Sequence, residues 1–224
     1  MHKLVVTNVE GATRAIARGL DRALASKLKV LWLLSGGSNI AIEIDVLKSL
    51  EHATPQNLVI SMIDERFVPL DSPNSNWHAL VDAGLNGQKA TLEPPILDWD
   101  LSLHDAAEDW AKRLKKAMGE ADAVVGQLGI GPDGHTAGIL PHTAGTHEQE
   151  KLVIGYKGHD FERLTVTPAV LRDLDLAVVV AMGEAKKPIL ERMPTDIAAA
   201  EQPAQLLLLA KELIVYTDQE VRWT

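Results

Sequence analysis

Four short apolar runs, each ending in a glycine-rich or charged turn, constrain this chain most: Val30–Leu34, 58–63, Ala123–Leu128 and 176–182. None alternates apolar with polar residues. The strands they form are therefore expected to be covered on both faces. Amphipathic stretches lie between them. Residues 10–28 space Ala15, Leu20 and Leu24 onto one helical face, and residues 100–118 do the same with Ala107, Trp110, Leu114 and Ala117. Residues 40–50 read as a helix, and another helix begins near Glu184. Weaker strands are expected at 151–156 and 163–167, and a short helix followed by a strand at 202–217. This alternation predicts an α/β fold, a three-layer α/β/α sandwich with a mainly parallel central sheet. With 224 residues, 46% hydrophobic, and no linker, a single domain over 1–224 is expected.

The carboxyl ends of parallel strands lie along one sheet edge, where α/β proteins bind ligands. Four turns belong there: SGGS at 35–38, DER at 64–66, GIGPDGHTAG at 129–138 and MGEAK at 182–186. The third carries Asp133 and His135 with only Gly134 between them. Its glycines let backbone approach a ligand closely, although Pro-Asp-Gly is also an ordinary turn signal. The SGGS turn joins a strand to a helix N-terminus, where free amides and the helix dipole favour a phosphate. It has neither the P-loop nor the dinucleotide spacing. Gly36, Gly37 and Ser38 are the candidate amide donors, with Arg163 and Lys186 as cations for the same anion. Arginine suits bidentate phosphate contact and lysine acts as a point charge. Asp64, Glu65 and Arg66 follow a buried strand directly, as a site or as a surface ion cluster.

The formal charge is −9, from 31 acidic and 22 basic residues, and no Lys/Arg run occurs. That balance argues against a nucleic-acid surface. An anion must then be held by a few placed cations and amides. The chain has no cysteine, which rules out disulfides, thiol catalysis and thiolate metal sites, and fits a reducing cytoplasm. The start, MHKLVVTNVE, has too short an apolar run for a signal peptide, and no run approaches the ~18 residues of a membrane span. A cytoplasmic location is expected.

The blocks LLSGGS, IDERFVPLDSPNSN, LGIGPDGHTAG, RLTVTPAVL and MGEAK occur in that order across most of the chain. Together they resemble the family of 6-phosphogluconolactonases and glucosamine-6-phosphate deaminases. Arg66 and the pair Ser75-Asn76 are similar to the lactonase branch. The resemblance implies action on 6-phosphoglucono-δ-lactone in the pentose phosphate pathway, with no metal and no cofactor. The implied partner is a small-molecule sugar phosphate, with no nucleic acid and no membrane; a monomer is compatible with this, and the oligomeric state stays open. The deaminase branch places Glu five residues after the loop histidine, where this chain has Leu140. Lactonases usually carry Thr-Pro where this chain has Asn39-Ile40. They continue the histidine loop as Ala-Ser-Leu-Phe-Pro-Gly, where residues 137–142 read Ala-Gly-Ile-Leu-Pro-His. The alternatives are a deaminase- or isomerase-like enzyme and a non-catalytic sugar-phosphate-binding protein.

The resemblance also implies roles. His135 would be the general base for water, with Asp133 or Asp64 orienting its ring. Arg66 and loop amides would stabilise charge on the carbonyl oxygen. Gly36, Gly37, Ser38, Arg163 and Lys186 would hold the phosphate and so fix the lactone carbon. His142 is assigned a structural role, and the other histidines none. No HExxH-type spacing argues for a metal.

Overall fold

A computed structural model describes residues 1–221 and Trp223. In chain order the first elements are β1 (His2–Val6), α1 (Val9–Ala25), β2 (Val30–Leu34), α2 (Ile40–Ser49), β3 (Leu58–Met62) and β4 (Asp64–Arg66). Next come α3 (Asn76–Asp82), β5 (Thr91–Leu92), α4 (Leu103–Glu120), β6 (Ala123–Leu128), β7 (Val153–Lys157) and β8 (Glu162–Val166). The last are α5 (Pro168–Asp173), β9 (Leu176–Val180), α6 (Lys187–Arg192) and β10 (Leu213–Thr217).

Seven strands form one parallel sheet in the order β1-β10-β9-β6-β2-β3-β5, and β4-β8-β7 form a small antiparallel sheet. Helices flank the large sheet. The four apolar runs supply β2, β3, β6 and β9, and every residue of β2 is buried, as expected for a strand covered on both faces. Its large side chains, Leu31, Trp32 and Leu33, each contribute about 1.5–3 kcal/mol by burial.

Helix α1 starts where the Asn8 side chain accepts from Gly11 N–H. Its buried stripe is Ala12, Ile16, Ala17, Leu20 and Leu24, and Ala15 lies to one side of it, half-buried. Ile16 fits the i, i+4 row of Ala12, Leu20 and Leu24, and Ala15 does not. Helix α4 buries Ala106, Ala107, Trp110 and Leu114 after an N-cap at Ser102.

Topology places the site. From β2 the chain steps outward through β3 to β5, then returns to β6 on the other side of β2. The loops after β2 and β6 therefore diverge, opening a crevice at the carboxyl edge. One expectation is corrected here: Asp64–Arg66 is a strand, not a loop. Ile63 makes the transition, donating to the Leu34 carbonyl of the large sheet (2.7 Å) and accepting from Val166 N–H beside the small one (3.0 Å). β1, α3, β5 and α5 were not anticipated. β1 is largely exposed and β5 has two residues, so neither forms a buried apolar run.

Candidate active site

A cleft of about 340 Å³ opens over the carboxyl ends of β2 and β6. Gly36, Gly37, Ser38, Asp64, Arg66, His135, Arg163 and Lys186 all line it. Asp133 stands behind His135 rather than in the cleft wall. The cleft gathers residues from turns after β2, β6 and β9 and from strands β4 and β8.

The loop after β2 rests on a buried acid. Ser35 donates through its N–H (2.9 Å) and its hydroxyl (3.2 Å) to Oε1 of Glu43 in α2. Asn39 Nδ2 donates to Ser35 Oγ at 3.2 Å. Glu43 is fully buried and its Oε2 has no partner. Burial pushes its carboxyl well above the usual range, against the Ser35 bonds, and the charge of Asp64 adds to the rise. Asn39, where the resembling lactonases carry Thr, thus ties this loop together.

The histidine loop follows β6. Asp133 Oδ1 accepts from His135 N–H at 3.1 Å and lies 2.6 Å from the His135 ring Nδ1. The ring lies so close to Gly131 that a side chain there would collide with it. A carboxylate partner keeps the proton on Nδ1 and leaves Nε2 with its lone pair. Of the two carboxylates the sequence left open, Asp133 is the one bonded to the ring. Partial burial tends to raise the Asp133 carboxyl, but the N–H and the charge of His135 outweigh it and hold it below the ordinary value.

The small sheet anchors this loop from the other side. Tyr156 Oη donates to the Gly138 carbonyl and accepts from Leu140 N–H, and Thr165 Oγ1 donates to the Ala137 carbonyl. Gly138 has φ +64° and packs against Asp64 so tightly that a Cβ would overlap the carboxylate. Glycine here, where the resembling lactonases have Ser, has a local cause. His142 takes φ +57° and donates its N–H to the Ala200 carbonyl at 2.8 Å.

Asp64 is buried, and desolvation raises its carboxyl despite the pull of Arg163, Arg66 and His135. Its Oδ2 lies 3.9 Å from Arg163 Nη1. Glu65 binds the start of α3, accepting from Asn76 N–H (2.7 Å), Trp77 N–H (2.8 Å) and Ser75 Oγ (3.0 Å). Arg66 donates to the Asn74 carbonyl at 2.9 Å and sits 5.7 Å from the Phe161 ring centre. Arg163, a candidate phosphate cation, already has an anionic partner. Its Nη2 contacts both carboxylate oxygens of Asp160, at 2.9 and 3.0 Å. Lys186 enters from the turn after β9, and burial lowers its ammonium below the ordinary value against the pull of Asp133.

Glu43, Tyr156 and Asp160 were missed by the sequence reading. Only Asp160 left a signal, three residues before Arg163 within a Gly-His-Asp turn. A larger cleft, about 470 Å³, opens at the amino ends of β2, β3 and β6. Its Arg113 is occupied by the carbonyls of Pro94 and Pro95, by Asp109 and by Glu93, and its Lys116 is paired with Glu120. Among the described residues, no cluster of His, Asp and Glu is arranged to hold a metal ion.

Comparison with known proteins assigns the class. The sequence profile described as glucosamine-6-phosphate isomerases/6-phosphogluconolactonase matches residues 7–216. The chain belongs to this family. Its curated relatives include lactonases: human 6-phosphogluconolactonase is 32% identical over 78% of this chain and 72% of that protein. The 6-phosphogluconolactonase of Mesorhizobium japonicum is 30% identical over 77% of this chain and 74% of its own length. The crystal structure of 6-phosphogluconolactonase from Thermotoga maritima superposes with a TM-score of 0.81 at 22% identity, covering 97% of this chain and 98% of that one.

Proposed function

We propose that this enzyme hydrolyses 6-phospho-D-glucono-1,5-lactone to 6-phosphogluconate. The observation that carries the reading is the His135–Asp133 pair, 2.6 Å apart, at a cleft that also holds two arginines, a lysine and the SGGS amides. Phosphate is held by the amides of Gly36, Gly37 and Ser38 with Arg163 and Lys186, which places the lactone carbon near His135. Nε2 of His135 takes a proton from water as the oxygen attacks the lactone carbonyl. Arg66 and loop amides stabilise the oxyanion, a type of contact often worth ~3 kcal/mol. The intermediate collapses by breaking the bond from C1 to the ring oxygen. The imidazolium returns its proton to that oxygen, and Asp133 stabilises the imidazolium between the two transfers.

Leu140 stands where the deaminase branch carries an acid, and it is buried. That favours hydrolysis over isomerisation. The test is a coupled dehydrogenase assay on freshly made lactone, corrected for spontaneous hydrolysis, run beside ammonia release from glucosamine 6-phosphate. Accelerated hydrolysis without ammonia release supports the reading. Ammonia release alone overturns it, and tight 6-phosphogluconate binding without turnover marks a binding protein instead.

A further inference from the structure

The turn between β7 and β8, closed by Gly158 N–H to the Phe161 carbonyl at 2.8 Å, places Asp160 in the cleft wall and the next residue, Phe161, against one of the cleft's arginines. Asp160 contacts Arg163 Nη2 through both oxygens, at 2.9 and 3.0 Å. Phe161 lies beside the Arg66 guanidinium. Each arginine of the cleft is therefore engaged by one residue of this turn.

We propose that Asp160 is a tethered stand-in for the phosphate, occupying Arg163 in the empty site and retaking it as product leaves. The inference rests on the reading of Arg163 as a phosphate-holding cation. Three observations carry it. First, the partners are unequal: the Arg163 side chain is 10% exposed and that of Asp160 is 53% exposed. The arginine is fixed, and the carboxylate has water to turn to. Second, the pair leaves the arginine unsatisfied. Its Nε is buried without a partner, and Nη1 is 3.9 Å from Asp64. Third, Asp160 lines the cleft itself, beside Lys186, Arg66 and the SGGS loop. A phosphate that takes Arg163 in a bidentate contact needs Nη2, where the Asp160 carboxylate already sits.

Two anions cannot share one guanidinium face without repulsion. Phosphate binding must therefore release Asp160, and the apparent affinity falls by the strength of that internal contact. A partly exposed ion pair of this kind shifts an equilibrium about two- to fivefold. The consequence is weaker product retention with the phosphate-binding groups intact.

The test is a double-mutant cycle read by calorimetry with 6-phosphogluconate and with inorganic phosphate. Asp160→Asn should tighten binding of both about two- to fivefold, with Asp160→Ser as a second variant against any local misfolding. In an Arg163→Ala background the same change should have no effect. Unchanged or weaker binding on Asp160→Asn, while Arg163→Ala weakens it, overturns the inference and leaves the phosphate reading standing. Equal tightening in both backgrounds also overturns it, because a change in net charge then suffices. If Arg163→Ala binds both anions like the parent, the phosphate reading itself fails.

Discussion

Arg66 and Arg163 stand directly opposite each other across the antiparallel pair of β4 and β8. Like charges in that register are destabilising. Here the repulsion is offset by Asp160 and Asp64 around Arg163, and by the Asn74 carbonyl and Phe161 around Arg66. The Nε of each arginine is nonetheless buried without a partner. The fold concentrates unfulfilled donors and positive charge at one place, which a phosphate dianion would satisfy.

Anion binding should therefore stabilise the whole protein. At a hundredfold excess of 6-phosphogluconate over Kd, mass action adds about 2.7 kcal/mol, a Tm rise of roughly 5–10 °C for a chain of this size. Thermal unfolding with and without product measures it. Arg163→Ala should lose about half or more of the increment at the same concentration, since a charged contact of about 1.5–3 kcal/mol lowers affinity some ten- to hundredfold.

His135→Ala should reduce kcat by about 10²–10⁴-fold while 6-phosphogluconate still binds. The side chain is 39% exposed, so its loss leaves little cavity and Tm should move little. Steady-state kinetics beside a melting curve separates the two effects. Parental turnover at neutral pH would transfer the base role to Asp64 or Asp133.

Glu43 should make stability fall as pH rises. Burial raises its folded-state value well above the ordinary 4.5, so between those two values the folded protein holds a proton that the unfolded chain has released. Stability is full below about pH 4.5 as far as this group is concerned, and declines through the window up to the raised value. Glu43→Gln removes this contribution. The difference in Tm between variant and parent should shift in the variant's favour from pH 5 to pH 8. A constant difference across that range would refute the assignment.

His142→Gly should stabilise. The left-handed backbone at φ +57° costs a non-glycine residue about 1–2 kcal/mol, partly cancelled by the greater freedom of glycine in the unfolded chain. The net expectation is about 0.5–1 kcal/mol, a Tm rise of roughly 1–4 °C by calorimetry. Activity should be retained, because the backbone bond to Ala200 does not use the side chain.

Buried strands and glycine-rich turns were legible in the sequence because each has a local signature. Val30–Leu34 and Ala123–Leu128 match their apolar runs, and the Asp133–His135 pair is set by a two-residue spacing that any tight turn brings together. The small sheet was legible only in part. Residues 151–156 and 163–167 read as strands, but the pairing of the second with Asp64–Arg66 depends on how Ile63 crosses between sheets, which no local pattern encodes. The burial of Glu43 was hidden because a lone acid on a helix normally faces water. Asp160 was passed over because its importance comes from the arginine it meets three residues later in a hairpin turn.

The cleft draws its cations, amides and imidazole from positions scattered between Gly36 and Lys186. Most of these segments meet only through pairings of high contact order, such as β4 with β8, about a hundred residues apart in the chain. A refolding chain can regain helix and even its apolar core before those pairings close. Recovery of turnover should accordingly lag recovery of circular dichroism, making the enzyme's own rate a reporter for the last docking event in its folding.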